Sequence, residues 1–253
     1  MGAVEKLEGF IMDIHGQRVL VIGGSSGIGL AVARAARDEG ANIVIASSNA
    51  DKLSEASEVL GGAECVQFDV NNDNSVREYF SSAETFDHLV FTAGDAVSAG
   101  RGALENLDID AAEAVFQVRF WGAARVAKYG SKTLSDGGSI TLTTGMAAHR
   151  PKKGSAIPTA LAGAIEFLTH GLAVELAPLR VNSVSLGGMH TGAWDAAPPE
   201  VREAELARIE RFLLPRIGEP EEAAQAFLYL MKGTYTTGQI VYVEGGSLLG
   251  QHR

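Results

Sequence analysis

The sequence predicts an α/β fold: one doubly wound sheet of seven parallel strands with helices on both faces, a three-layer sandwich forming a single domain over residues 1–253. Three observations predict it. Short runs of apolar, mostly β-branched residues alternate with helical patterns along the chain, as in a parallel sheet buried on both faces. The first run, Val19–Ile22, ends in Gly23-Gly24-Ser25-Ser26-Gly27-Ile28-Gly29 and passes directly into a helical pattern from Leu30 to Glu39. No composition break or Ser/Pro-rich linker divides the 253 residues, a length ordinary for one such domain.

The glycine turn comes first. A strand turns sharply into a helix only where the backbone is free of Cβ clash, and bare N–H groups there can approach a phosphate at the positive helix end. Gly23, Ser25, Ser26, Gly27, Ile28 and Gly29 are therefore the candidate cradle for a dinucleotide pyrophosphate. Gly40 closes the first helix as a C-cap glycine does. Strand two is Asn42–Ala46, a helix covers residues 51–60, and strand three is Cys65–Phe68, followed by Asp69 and Val70. Ser75 is placed to cap the helix that runs to Phe80, and His88–Phe91 make strand four before Thr92-Ala93-Gly94. A long helix over 110–129 leads to strand five, Ser139–Thr143. A second long helix runs from Pro158, in its first turn, to Leu176, and strand six is Arg180–Val184. Residues 187–215, with a helix around 199–212, form a lid segment of the kind that covers an active-site mouth. A helix over 221–231 and strand seven, Ile240–Val243, finish the sheet.

Composition narrows the function classes. A net charge of −10 and a pI near 5.1 argue against nucleic acid or an anionic membrane as partner, since such a surface repels both. The single cysteine, Cys65, excludes an internal disulfide and a cysteine-based metal cluster, and no metal site is expected. Its apolar-flanked run reads as a core strand, and a reduced, cytoplasmic setting fits. Met1–His15 carries Glu5, Glu8 and Asp13 and lacks a basic start, so it is not a signal peptide. No apolar run is read as long enough to span a membrane.

In order along nearly its whole length, the chain resembles the short-chain dehydrogenase/reductase family, with its Rossmann-type fold. The resemblance rests on Gly23–Gly29, Asp69-Val70, Thr92-Ala93-Gly94, the stretch Leu172–Pro178, Arg180-Val181-Asn182, and Thr237-Gly238-Gln239 leading to Glu244-Gly245-Gly246. It implies that the first glycines hold the pyrophosphate, Asp69 and Val70 the adenine, and Thr92, Ala93 and Gly94 the cofactor ribose. The segment from Gly187 to Thr191 is similar to the family's Pro-Gly-x-x-x-Thr turn, with Leu186 in place of the proline, and implies that Thr191 contacts the nicotinamide amide. A homotetramer or homodimer, packed through the two long helices and the last strand, and a small-molecule substrate are also implied.

The catalytic positions depart from that pattern. The family needs a serine and a tyrosine to hold and protonate a carbonyl oxygen, a lysine to lower the tyrosine pKa, and an asparagine to hold a relay water. These positions fall on Gly145, Pro158, Ala162 and Arg119, so the usual tetrad is replaced. Preorganised donors of that kind are worth roughly 3 to 4 kcal/mol each, and hydride transfer by the usual route should be very slow. Replacement candidates lie in the basic stretch from Thr143 to Lys153: Thr144 for the serine hydroxyl, and His149, Lys152 or Lys153 as proton donor, although such loop residues are often simply solvated. Arg119 stands in an apolar helix seam, where it must face a cleft or find a partner. Two roles are open to it, a clamp for a substrate carboxylate or phosphate and a structural ion pair. His190 and Trp194 are placed to touch substrate, and packing under a lid explains Trp194 equally well.

For the nucleotide, the ribose-binding carboxylate expected at the end of strand two is absent; Ser47, Ser48 and Asn49 stand there, with Lys52 nearby. Removing the carboxylate removes the repulsion that excludes a 2′-phosphate, so NADP(H) is favoured over NAD(H). Three functions remain open: an atypical oxidoreductase, a catalytically silent nucleotide-binding sensor or partner subunit, and a non-redox lyase or isomerase.

Overall fold

The computed structural model describes residues 13–94 and 100–249, so the reading of Met1–His15 lies mostly outside the described residues. All seven strands pair in parallel in the order β3-β2-β1-β4-β5-β6-β7. They are β1 (Arg18–Ile22), β2 (Asn42–Ser47), β3 (Glu64–Gln67), β4 (Phe86–Phe91), β5 (Leu134–Gly145), β6 (Arg180–Leu186) and β7 (Ile240–Val243). The order reverses direction at β1, between β2 and β4. That opens a crevice at the carboxyl ends of the strands, where α/β sheets bind ligands.

Two apolar layers follow from the strand alternation. On one face, Val19 and Val21 of β1 and Val184 of β6 pack beneath α1 (Gly27–Asp38), α2 (Ala50–Val59) and α9 (Pro220–Lys232). On the other, Leu20, Ile140 and Val181 pack beneath α3 (Asp73–Ser82), α5 (Gly122–Gly130) and α6 (Ala156–Glu175). Gly40, at φ +86°, takes the left-handed position just past α1.

Several expectations are corrected. Asn72, not Ser75, caps α3, its side chain accepting from the N–H groups of Asn74 and Ser75, because the helix starts one turn earlier. Cys65 lies in a strand, but that strand is the edge of the sheet and the thiol is exposed rather than in the core. The helix expected over 110–129 is α4 (Ile109–Phe116) and α5 joined by a π-helical turn, Gln117–Trp121. The lid carries a short α7 (Gly192–Asp195) before α8 (Pro199–Ile209). One helix, α6, is after all long and apolar enough by length and composition to cross a membrane. Its inward stripe of Leu161, Ala162, Ile165 and Thr169 instead covers β5 and β6.

Candidate functional site

The glycine turn is tight because neighbouring backbone leaves no room for side chains. A Cβ at Gly23 (φ +88°) would lie 2.6 Å from Ala93 N, and one at Gly29 would overlap the Gly23 carbonyl oxygen. The same packing brings the turn against Thr92 and Ala93, whose Thr92 hydroxyl donates to Ile22 O at 3.1 Å. Ser26 precedes α1 without a side-chain cap, so its hydroxyl answers none of the first helical N–H groups, the groups that bind anions at helix starts. Thr191 packs over this turn: a Cβ at Gly27 would meet the Thr191 side chain at 3.6 Å. Gly27 and Thr191, far apart in sequence, therefore meet in the fold.

Gly187 leads to Thr191 against the exit of β7, its N–H donating to Val243 O at 2.9 Å, and a Cβ there would lie 2.7 Å from Glu244 Cα. A cleft of about 230 Å³ runs between α1 and the lid hinge, lined by Gly27, Arg34, His190, Thr191, Asp195 and Glu221. At the other end of the crevice Ser47, Ser48 and Asn49 make the turn from β2 into α2. Ser47 Oγ accepts from the Asn49 N–H at 3.2 Å, Asn49 caps α2 through Lys52 N, and Ser48 O accepts from Gln67. Asp69 is exposed beyond β3 with Oδ1 on Asn71 N, and Val70 is buried against Gly122.

Arg119 sits in the π turn between α4 and α5, the kind of helix defect that re-aims side chains at functional sites. Its Nη2 donates to Gly94 O at 2.9 Å, so it is seated on the Thr92–Gly94 turn. Thr144 is buried and its hydroxyl donates to Ala162 O at 3.0 Å, which directs it into the α6 backbone. Lys152 reaches the lid, with Nζ 3.1 Å from Glu205 Oε2 on α8. Burial acts to raise the Glu205 carboxyl, but Arg208 and Lys152 outweigh it and hold the pKa below the usual range. Lys153 is exposed. His190, at the lid hinge, lies 3.1 Å from Asp195 and 3.4 Å from Glu219, and the hydrogen bond to Asp195 first of all raises its pKa. Trp194 is partly buried in α7, and its backbone N–H donates to Thr191 O at 2.7 Å.

His149 follows a single 3-10 turn after β5, and its Nε2 lies 2.7 Å from Glu166 Oε2 and 2.9 Å from Tyr242 Oη. Neither Glu166 on α6 nor Tyr242 on β7 was singled out in the sequence. One signal was there: Glu166 is the only charge on the inward stripe of an otherwise apolar helix. Burial and then the Glu166 carboxylate raise the Tyr242 phenol. Among the described residues no group of three or more His, Cys, Asp or Glu is placed to hold a metal ion.

Known proteins resemble this chain over nearly its whole length. A family model described as enoyl-(acyl carrier protein) reductase matches residues 22–247. The short-chain dehydrogenase/reductase fsr5 of Gibberella fujikuroi is 35% identical over 270 residues, covering 95% of this chain and 97% of that protein. The solved structure of the MalC reductase/Diels-Alderase from Malbranchea aurantiaca superposes with a TM-score of 0.82 at 33% identity, over 93% of this chain and 97% of that one. That of a small-chain dehydrogenase in complex with NADPH superposes with a TM-score of 0.79 at 32% identity, over 93% and 100%. With the glycine cradle, the strand order and these relatives in agreement, the chain belongs to the short-chain dehydrogenase/reductase family.

Proposed function

We propose that the chain is an NADP(H)-binding oxidoreductase that acts on a small carbonyl or alcohol substrate through a replaced active site. The observation that carries this is the turn of Gly23–Gly29, where Ser26 leaves the first amides of α1 without a side-chain cap and Thr191 packs against Gly27. The 2′-phosphate preference rests on Ser47, Ser48 and Asn49, which offer hydroxyl and amide groups at the end of β2, and on the NADPH named with a relative's structure. The nicotinamide ring would supply hydride when bound; Gly187 and Thr191 hold its pocket and Arg119 braces the Thr92–Gly94 turn beside it. Arg119, Gly145, Pro158 and Ala162 stand where the family's tetrad does, so a side chain of the basic loop must handle the proton. His149 suits this best, since Thr144 is committed to Ala162 and Lys152 to Glu205. The test is NADPH oxidation by purified protein across a panel of aldehydes, ketones and quinones. Turnover that His149→Asn reduces supports this function, and no turnover with any substrate overturns it.

A non-redox reaction is favoured by one observation, the Arg119 guanidinium seated at the cofactor turn, where its planar fork suits an anionic substrate. A relative named a reductase/Diels-Alderase shows the family chemistry need not stop at hydride transfer. In that case Arg119→Ala removes activity and leaves cofactor affinity almost unchanged. We further propose a homodimer or homotetramer packed through α4–α5 and α6, whose outer faces expose Trp121, Phe167 and Val174.

A further inference from the structure

The layer between α6 and the sheet is polar where it passes under the basic loop. Register pairing sets Thr144, Ser185 and Tyr242 in one row across β5, β6 and β7, on the face that α6 covers. Ser183 lies on the same face, two residues before Ser185. Glu166 enters this layer from α6 and is only 5% exposed. Its Oε1, like the hydroxyls of Ser183 and Ser185, is buried without a hydrogen-bond partner. A carboxylate buried with one oxygen unanswered is costly to the fold, and an apolar residue would avoid that cost. Its other oxygen is fully used: Oε2 receives His149 Nε2 at 2.7 Å.

We propose that Glu166 is a positioning residue that holds His149 as the acid–base group of the site, with Tyr242 as the third member of the cluster. This rests on the oxidoreductase function proposed above. An ionised carboxylate only accepts, so Nε2 carries its proton toward Glu166, with Tyr242 Oη at 2.9 Å beside the same nitrogen. Nδ1 is then the atom that gives up or takes a proton, and it makes no hydrogen bond among the described residues. The ring is half-exposed, on the loop whose Lys152 pairs with Glu205 of α8. In carbonyl reduction, His149 passes the Nδ1 proton to the substrate oxygen and changes from imidazolium to neutral imidazole. The carbonyl carbon gains the hydride and its two electrons from the reduced nicotinamide, which leaves oxidised; the product is an alcohol. The fixed carboxylate keeps the ring from turning.

The experiment uses full-length protein labelled with ¹⁵N-histidine, observed with NADPH and then with NADP⁺ bound, alongside steady-state reduction of whichever carbonyl the panel shows to be turned over. The oxidised ring carries a positive charge that the reduced ring lacks, so the His149 nitrogens should shift between the two complexes. In Glu166→Met, which keeps the volume and removes both oxygens, the Nε2–H signature should be lost. His149→Asn should lower kcat roughly 10²-fold, Glu166→Met ~10-fold or more, and the double variant no further than His149→Asn, with the KM for NADPH unchanged. If Glu166→Met does not fold, Glu166→Gln and the wild-type spectra alone decide the matter. His149 signals indifferent to the cofactor's oxidation state, or wild-type kcat in His149→Asn, overturn the assignment while turnover by the wild type leaves the oxidoreductase function standing. No NADPH binding by the wild type overturns both.

Discussion

His88 shows how one polar residue is kept inside the sheet without charge. Its Nε2 lies 2.7 Å from Gln17 Oε1, which accepts, and its Nδ1 lies 2.8 Å from Ser139 Oγ, so the neutral ring has a partner at both nitrogens. Burial, and then the nearby Arg180 guanidinium, push its pKa down to about 4 from an ordinary 6.5. A depressed base binds its proton in the unfolded chain first, so stability is whole above pH 6.5 and falls as pH drops toward 4. The loss from this group is about 3 kcal/mol. Urea denaturation at pH 7 and pH 4 should show that difference shrinking in His88→Gln, and an unchanged difference would contradict the account. This partnership is invisible in the sequence, because His88 reads as one more strand residue and Gln17 lies 71 positions away. The glycine cradle was legible, since its demand for residues without Cβ is local and leaves a pattern. Glu166 was half-legible: a lone charge marks the helix stripe, but only the fold says that His149 and Tyr242 meet it.

The lid hinge is where an element carries a titration. His190 bridges Asp195 at the end of α7 and Glu219 at the N-cap of α9, and its pKa is raised, chiefly by the Asp195 hydrogen bond. A raised base contributes stability that is fully present below the ordinary 6.5 and lost as pH rises through the folded value. Amide hydrogen exchange over residues 187–195, corrected for its intrinsic pH dependence, should therefore quicken above neutrality in the wild type and show no such step in His190→Gln. The same step in both proteins would contradict the assignment. The lid helix and most strands were legible because their apolar periods are local. The π turn at Gln117–Trp121 was not, because one extra residue in a helical turn barely disturbs a 3.6-residue period. Nor was the exposed Cys65, because which strand forms the sheet edge is set by strand order rather than by the strand's own residues.

For the molecule as a whole, the parallel order sets the Gly23–Gly29, Ser47–Asn49 and Thr92–Gly94 turns together at the carboxyl ends of β1, β2 and β4. The fold class was legible almost complete, since seven apolar runs alternating with helices admit few other packings. The outer face of α6 is uncovered among the described residues, with Phe167 76% and Val174 82% exposed. Phe167→Glu should accordingly shift the mass in light scattering from that of a dimer or tetramer to the 26.5 kDa of one chain. A wild type already at that mass would contradict the proposed assembly. The central claim is that the turn from Gly23 to Gly29 and the β2–α2 turn together hold NADP(H). It is tested most directly by titrating the protein and its Ser47→Asp variant with NADPH and NADH while following nicotinamide fluorescence. The account predicts micromolar NADPH binding, tighter than NADH, and an inverted preference once a carboxylate faces the 2′-phosphate. Absence of binding by either nucleotide, or a preference that Ser47→Asp leaves untouched, would contradict it.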